Sequence, residues 1–339
     1  MSSRALFIHS GMRTGSTYLL HRFRVLPTAM AFTEPFNEVL AQMNAQLLRG
    51  LGPAYWNSGH SATDPYYAEY EPLLDPSAPG IRGFRPEFTF DNFFRVNDDL
   101  PEQRSYLKGL LDLAEQDGRV PVLGFCASLG RVEWLKRNFP DAYHLVLIRN
   151  PVQQWISSYS MYTEQKNAYF VNSYRRMMLS PGDSEYLAEV RDAFKESLEA
   201  TDIRIDRLYE IFAHVYAWST CSAVPHADLV VDIDRLSSSP AYRDYITETI
   251  RAQSGQQVDF SDSRVSNHNP GDIPIDFYRI NSFVSSSIRQ WLRRHPLPVV
   301  EQSASRGYEY HPNSVLEKLD LSVAPLRQIV PAEKAVAQN

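Results

Sequence analysis

The chain is poor in cysteine. Cys126 and Cys221 are the only two among 339 residues, and both sit in apolar surroundings. Two thiols cannot build a disulfide framework or a four-ligand metal site, so a reducing compartment is the natural reading and a cytoplasmic location the expectation. No apolar run approaches the ~18 residues of a membrane span, and the N-terminus enters a candidate core strand almost at once. An excess of positive charge is also missing. The net charge of −6 argues against a general nucleic-acid binder, and any basic site must be local. There are no internal repeats and no low-complexity segments.

What is present is ordinary for a globular α/β protein: 43% hydrophobic and 22% charged residues. A prior of ~150 residues per domain allows two domains or one large one. The pattern suggests one α/β domain over 1–325, with an insertion at about 51–86 rich in Gly, Pro, Tyr and Ser, and a peripheral tail at 326–339. The insertion reads as a binding flap.

The most informative stretch is ALFIHSGMRTGSTYLLHRFRV, from Ala5 to Val25. Ala5 to Ile8 is an apolar run suited to a strand, and Tyr18, Leu19, Leu20 and Phe23 have the spacing of a helix buried on one face. Between them Ser10, Gly11, Thr14, Gly15, Ser16 and Thr17 form a turn of small residues. A strand feeding such a turn into a helix N-terminus aims unpaired N–H groups and the positive end of the helix dipole at one point, and Arg13 adds a full charge. The turn is a candidate phosphate cradle. It lacks the lysine of the nucleotide-triphosphate signature, because Ser16 and Thr17 follow the four residues after Gly11.

Further strands are predicted at 120–126, 143–148 and 227–233. The first two flank a short helix at 131–138 and read as a parallel β-α-β unit. Helices are expected at 35–50 with Pro35 in the first turn, within 88–116, and at 184–199, 205–224, 239–255 and 282–294. A polar connection is expected at 163–182. In LVLIRNPVQQWISSY, Arg149 ends a buried strand and Ser157 lies two turns into the next helix, so both can face one phosphate. Ser158 is a lesser alternative, about 100° around the helix.

Two motifs in this order resemble the 5′-phosphosulfate loop (Arg13, Thr14, Gly15, Ser16, Thr17) and the 3′-phosphate motif (Arg149, Ser157) of sulfotransferases that use 3′-phosphoadenosine 5′-phosphosulfate (PAPS). The arginine in the loop is closer to the carbohydrate and bacterial branch than to the cytosolic aryl and steroid branch. A late strand followed by Asp234, Leu236 and Pro240 also resembles the family, with Asp234 as a structural acceptor.

The resemblance implies a parallel sheet flanked by helices, in the P-loop-like sulfotransferase fold. It implies sulfuryl transfer from PAPS to a hydroxyl of a carbohydrate or glycolipid-like acceptor, with no metal. Thr14 to Thr17 would hold the 5′-phosphate and Arg13 its bridging oxygen, while Arg149 and Ser157 would hold the 3′-phosphate. Tyr18, at a position where the cytosolic branch has Trp, would offer a ring to adenine. Relatives acting on carbohydrates often carry Glu-Pro after the first helix, which implies Glu34 as the base, with helix capping as its structural alternative. His9 and His60 are fallback bases. Arg264, His268 and Gly271 are candidates for a late nucleotide-covering loop. Two other readings stand: a P-loop kinase using Asp232 for Mg²⁺, and a non-catalytic nucleotide-binding protein on the same fold.

Overall fold

The computed structural model describes residues 4–50, 65–264, 273–297 and 310–322. Strands β1 Leu6–His9, β2 Ala29–Thr33, β3 Val120–Phe125, β4 Tyr143–Ile148 and β5 Leu229–Asp232 form one sheet. Every pairing is parallel, and the spatial order is β2-β3-β1-β4-β5. Parallel strands return by crossovers that cover the sheet, so their sequences are near-continuous apolar runs; only Val120 among the strand residues falls short of full burial.

Helix α1 Ser16–Arg24 joins β1 to β2 and buries Leu19, Leu20 and Phe23 in a cluster with the sheet residues Leu6 and Ile8. Helices α2 Ala45–Gly50 and α3 Pro101–Gln116 precede β3, and α4 Val132–Asn138 lies between β3 and β4. Five more separate β4 from β5: α5 Pro151–Gln165, α6 Tyr169–Leu179, α7 Glu185–Ala193, α8 Lys195–Glu199 and α9 Ile205–Ala223. After β5 come α10 Ile233–Ser238, α11 Pro240–Ser254, α12 Phe277–Arg294 and α13 Pro312–Leu321. Helix α9 is buried on nearly every side because α6, α12 and α13 pack around it. Among the described residues no helix is long and apolar enough to cross a membrane.

The chain leaves β1 towards β2 on one side and leaves β4 towards β5 on the other. Connections from neighbouring strands that diverge in this way open a crevice at the carboxyl ends of those strands. The loop carrying Arg13 follows β1 and Arg149 follows β4, so both arrive at that crevice.

Several sequence expectations need correction. The stretch 31–50 is not a helix from Pro35. Ala29–Thr33 is a buried strand paired along β3, and only a 3₁₀ turn at Glu38–Gln42 and the short α2 follow. The unit around α4 is parallel, but β1 lies between its strands β3 and β4. The expected polar connection at 163–182 contains the end of α5 and all of α6, whose Val171, Tyr174, Met177 and Met178 are buried. The expected helix at 184–199 breaks at Phe194, and helical structure within 88–116 is α3 preceded by irregular chain and a 3₁₀ turn. Helix α12 begins five residues earlier than expected, where Asp276 caps it.

In the segment 51–86, residues 51–64 lie outside the described ones. The remainder includes Tyr66, Tyr67 and Tyr70, all buried in the cluster that also holds Phe32 and Phe36. The tail at 326–339 also lies outside the described residues.

Candidate active site

After β1 the turn is clamped from several sides. The Ser10 N–H and hydroxyl both donate to the Phe125 carbonyl, and the Thr14 hydroxyl donates to the Gly11 carbonyl at 2.7 Å. From α5, the Gln154 amide donates to the Met12 carbonyl at 2.6 Å. Arg13 and Gly15 are both left-handed, with φ of 62° and 98°. Glycine accepts this conformation freely, whereas arginine keeps it only because its surroundings over-determine it. No side chain of the described residues caps α1 at Gly15, so the first-turn N–H groups are left for a ligand.

The two motifs meet. Arg13 Nε donates to Ser157 Oγ at 3.1 Å, and Arg149 Nη1 donates to the Arg13 carbonyl at 2.9 Å. Phe170 on α6 lies beneath the Arg13 guanidinium, 5.2 Å from its ring centre. Arg149 and Ser157 are buried, at 8% and 4% exposure. Burial lowers the pKa of both arginines. The Arg149 charge lowers Arg13 further, while Asp234 counteracts the effect at Arg149. Arginine nonetheless stays protonated, so two partly desolvated like charges stand together, an arrangement that a bound anion relieves.

Behind Arg149 the backbone is held in place. Its carbonyl accepts from Tyr216 Oη at 2.9 Å, the Asn150 N–H donates to Asp234 Oδ2 at 2.6 Å, and the Asn150 side chain caps α5. Asp234 is thus the structural acceptor it was expected to be.

Glu34 follows β2 in a left-handed conformation, φ 46°, with its N–H donating to the Gly124 carbonyl at 2.7 Å. It does not cap a helix: the next turn, Glu38–Gln42, is capped by Asn37. Its carboxylate accepts from the Asn37 amide and, at 3.4 Å, from Tyr66 Oη, which lies 3.2 Å from Thr17 Oγ1. Burial raises its pKa against the opposing hydrogen bonds of Asn37, Cys126 and Tyr66. A half-buried carboxylate with a raised pKa is better matched to proton removal near neutrality.

His9 is excluded as a base by its position. It is fully buried in β1, with Nδ1 3.0 Å from Ser128 Oγ and Nε2 3.0 Å from His144 Nδ1, while His144 Nε2 lies 3.1 Å from the Phe139 carbonyl. That carbonyl only accepts, so in the neutral pair each proton points the same way along the chain, from Ser128 through His9 and His144 to Phe139. Tyr18 lies on α1, the helix that follows the turn. Its hydroxyl donates to Asp262 at 2.7 Å, and the Arg22 guanidinium lies over its ring, 4.7 Å from the centroid. Ser158 bonds back to Gln154 of its own helix. Asp232 caps α10 and accepts from Tyr310 and Lys318, so it is a structural anchor and not a free strand-end acid. Arg264 is exposed, and His60, His268 and Gly271 lie outside the described residues.

Sequence reasoning missed Gln154, Cys126 and Lys318, for which no local signal exists. Tyr66 lay in the tyrosine-rich segment that was noted, but without its link to Glu34.

No family model matches the chain, and no curated protein matches it. Among solved structures, the chain is similar to a sulfotransferase from Alicyclobacillus acidocaldarius. The two are 13% identical, the match covers 87% of this chain and 97% of the other, and the TM-score is 0.39.

Proposed function

We propose that the protein is a sulfotransferase that moves a sulfuryl group from PAPS to a hydroxyl of a carbohydrate or glycolipid-like acceptor. The observation that carries this reading is the junction of Arg13, Ser157 and Arg149 at the crevice between β1 and β4, two cationic grips within one hydrogen-bonded cluster. Residues Thr14 to Thr17 and the open start of α1 fit a 5′-phosphate, and Arg149 with Ser157 fits a 3′-phosphate. When bound, PAPS supplies the sulfuryl group, whose bond to the 5′-phosphate oxygen breaks as its bond to the acceptor oxygen forms.

The protein's part is alignment and charge. Arg13 neutralises the negative charge that grows on the departing 5′-phosphate oxygen, and the N–H groups of α1 share that load without reorganising. Glu34 takes the proton from the acceptor hydroxyl. Its hydrogen bonds to Asn37 and Tyr66 hold the carboxylate in one orientation.

Calorimetric titration with 3′-phosphoadenosine 5′-phosphate and with adenosine 5′-monophosphate tests the reading. Arg149→Ala should weaken the bisphosphate by about 10- to 100-fold and the monophosphate by no more than about twofold, the loss of one charge-assisted contact. Equal losses for the two nucleotides would count against the assignment. A mass-spectrometric screen of hydroxylated acceptors with PAPS would identify the second substrate.

A further inference from the structure

Helix α13 lies far along the chain from both arginines, yet it brings a cation to the back of Arg149. Its docking is independent of that cation. Val315, Leu316 and Leu319 are buried in the cluster that holds α9 and α12, and Asn281 of α12 donates to the Leu319 carbonyl at 3.1 Å and to Ser322 Oγ at 3.0 Å. Arg289 and Asp320 pair at 2.8 Å across the same contact. So placed, Lys318 Nζ lies 2.9 Å from Asp232 Oδ2 and 2.8 Å from Asp234 Oδ2, and Tyr310 Oη donates to Asp232 at 2.9 Å. Asp234 Oδ2 also accepts the N–H of Asn150, the residue directly after Arg149.

Two carboxylates thus stand behind the strand end that carries the arginine assigned to the 3′-phosphate: Asp234, whose charge acts on that arginine, and the almost wholly buried Asp232, opposite Ile148 in the sheet and facing Arg235 as well as Lys318. Left uncompensated, they would act twice on the site: Asp234 would draw the guanidinium back towards itself, and both would repel an incoming phosphate through a medium that screens poorly. As the structure stands, Arg149 Nη1 reaches forward to the Arg13 carbonyl.

We propose that Lys318 is a positioning residue of the 3′-phosphate grip, taking up the charge of Asp232 and Asp234 so that Arg149 serves the nucleotide. The C-terminal helix α13 is then part of the nucleotide site without contributing a group that touches the ligand. This inference rests on the PAPS reading given above.

The test uses the full chain with Lys318→Met, Lys318→Arg and the double variant Lys318→Met/Asp234→Asn. Binding of 3′-phosphoadenosine 5′-phosphate and adenosine 5′-monophosphate is titrated after a thermal melt has shown each protein folded. Lys318→Met should lose about tenfold in affinity for the bisphosphate and no more than about twofold for the monophosphate. Lys318→Arg should stay near wild type. In the double variant the selectivity should return to within about threefold of wild type, because asparagine keeps the acceptor for Asn150 while removing the charge.

Unchanged selectivity in Lys318→Met, an equal loss for both nucleotides, or no recovery in the double variant would overturn the proposal. Should Lys318→Met fail to fold, Asp234→Asn alone decides. Bisphosphate affinity should then rise, by about threefold, with the monophosphate unchanged, and an unchanged or weakened bisphosphate would overturn the proposal. A wild-type protein that does not distinguish the two nucleotides would sink the PAPS reading itself, an outcome separate from selectivity that survives in the variants.

Discussion

The carboxyl rim of the sheet has two sides of different character. At the ends of β1 and β4 stand Arg13 and Arg149, with Ser157 and the uncapped start of α1 beside them. At the ends of β2 and β3 stand Glu34 and Cys126, with Tyr66 laid across from the segment that follows. Each side has one non-glycine residue held in a left-handed conformation, Arg13 and Glu34, and each holds an ionisable group at an electrostatic disadvantage. On the cationic side the disadvantage is relieved by an anion. On the acidic side it is relieved by a proton. On the proposed reading, a site that binds a polyanion and deprotonates a hydroxyl needs both, kept apart, and the Thr17–Tyr66–Glu34 hydrogen bonds connect the two sides.

The largest test of this division is Glu34→Gln. It should lower kcat by about 10²- to 10⁴-fold, the range of general-base catalysis, while leaving the affinity for 3′-phosphoadenosine 5′-phosphate within about twofold. A comparable loss of nucleotide affinity would erase the distinction between the two sides. The pH profile sharpens the same point. Because burial raises the Glu34 pKa above 4.5, the acidic limb of kcat should lie above the ordinary carboxylate range, and the limb should vanish in Glu34→Gln.

A smaller effect is expected beneath the cationic side, where β1 and β4 are joined by neutral histidines. Burial lowers the pKa of His9 well below 6.5 and that of His144 to about 4. Unfolded histidines protonate first as pH falls, so the stability from this pair is complete above pH 6.5 and is lost progressively towards pH 4. Urea midpoints measured between pH 7.5 and 4.5 should fall over that window, and the slope should be shallower in His144→Gln. The smallest change is Gly15→Ala. At φ 98° a Cβ is strained and also meets Ile233 at 3.4 Å, so a loss of about 1–2 kcal/mol is expected in equilibrium unfolding.

The elements legible in the sequence were those whose burial is continuous. The runs at β1, β3, β4 and β5 are almost wholly apolar, interrupted only by His9, His144 and Asp232, and α9 carries apolar residues at helical spacing, so local sequence sufficed. The strand β2 was missed because AMAFT is short and runs into Glu34 and Pro35, which imitate a helix start. Helix α6 was missed because its tyrosines and methionines alternate with arginine and asparagine, and only packing against α9 selects the face that is buried. Of the candidate site residues, Arg13 to Thr17 lie in the turn after β1, Arg149 directly after β4 and Ser157 on the helix that follows it, so each could be singled out from local sequence.

The chemistry of the two candidate anion-binding turns was therefore determined by the sequence itself, since a phosphate cradle is made of backbone N–H groups and small residues that are consecutive in the chain. What the tertiary structure decided was adjacency. Strand order set Arg13 beside Arg149, carried Glu34 to the far side of β3, sealed His9 between strands, and brought Lys318 to carboxylates more than eighty residues away in the chain. Such pairings depend on how crossovers stack across a sheet, and no local pattern of residues encodes the neighbour that a distant helix will supply.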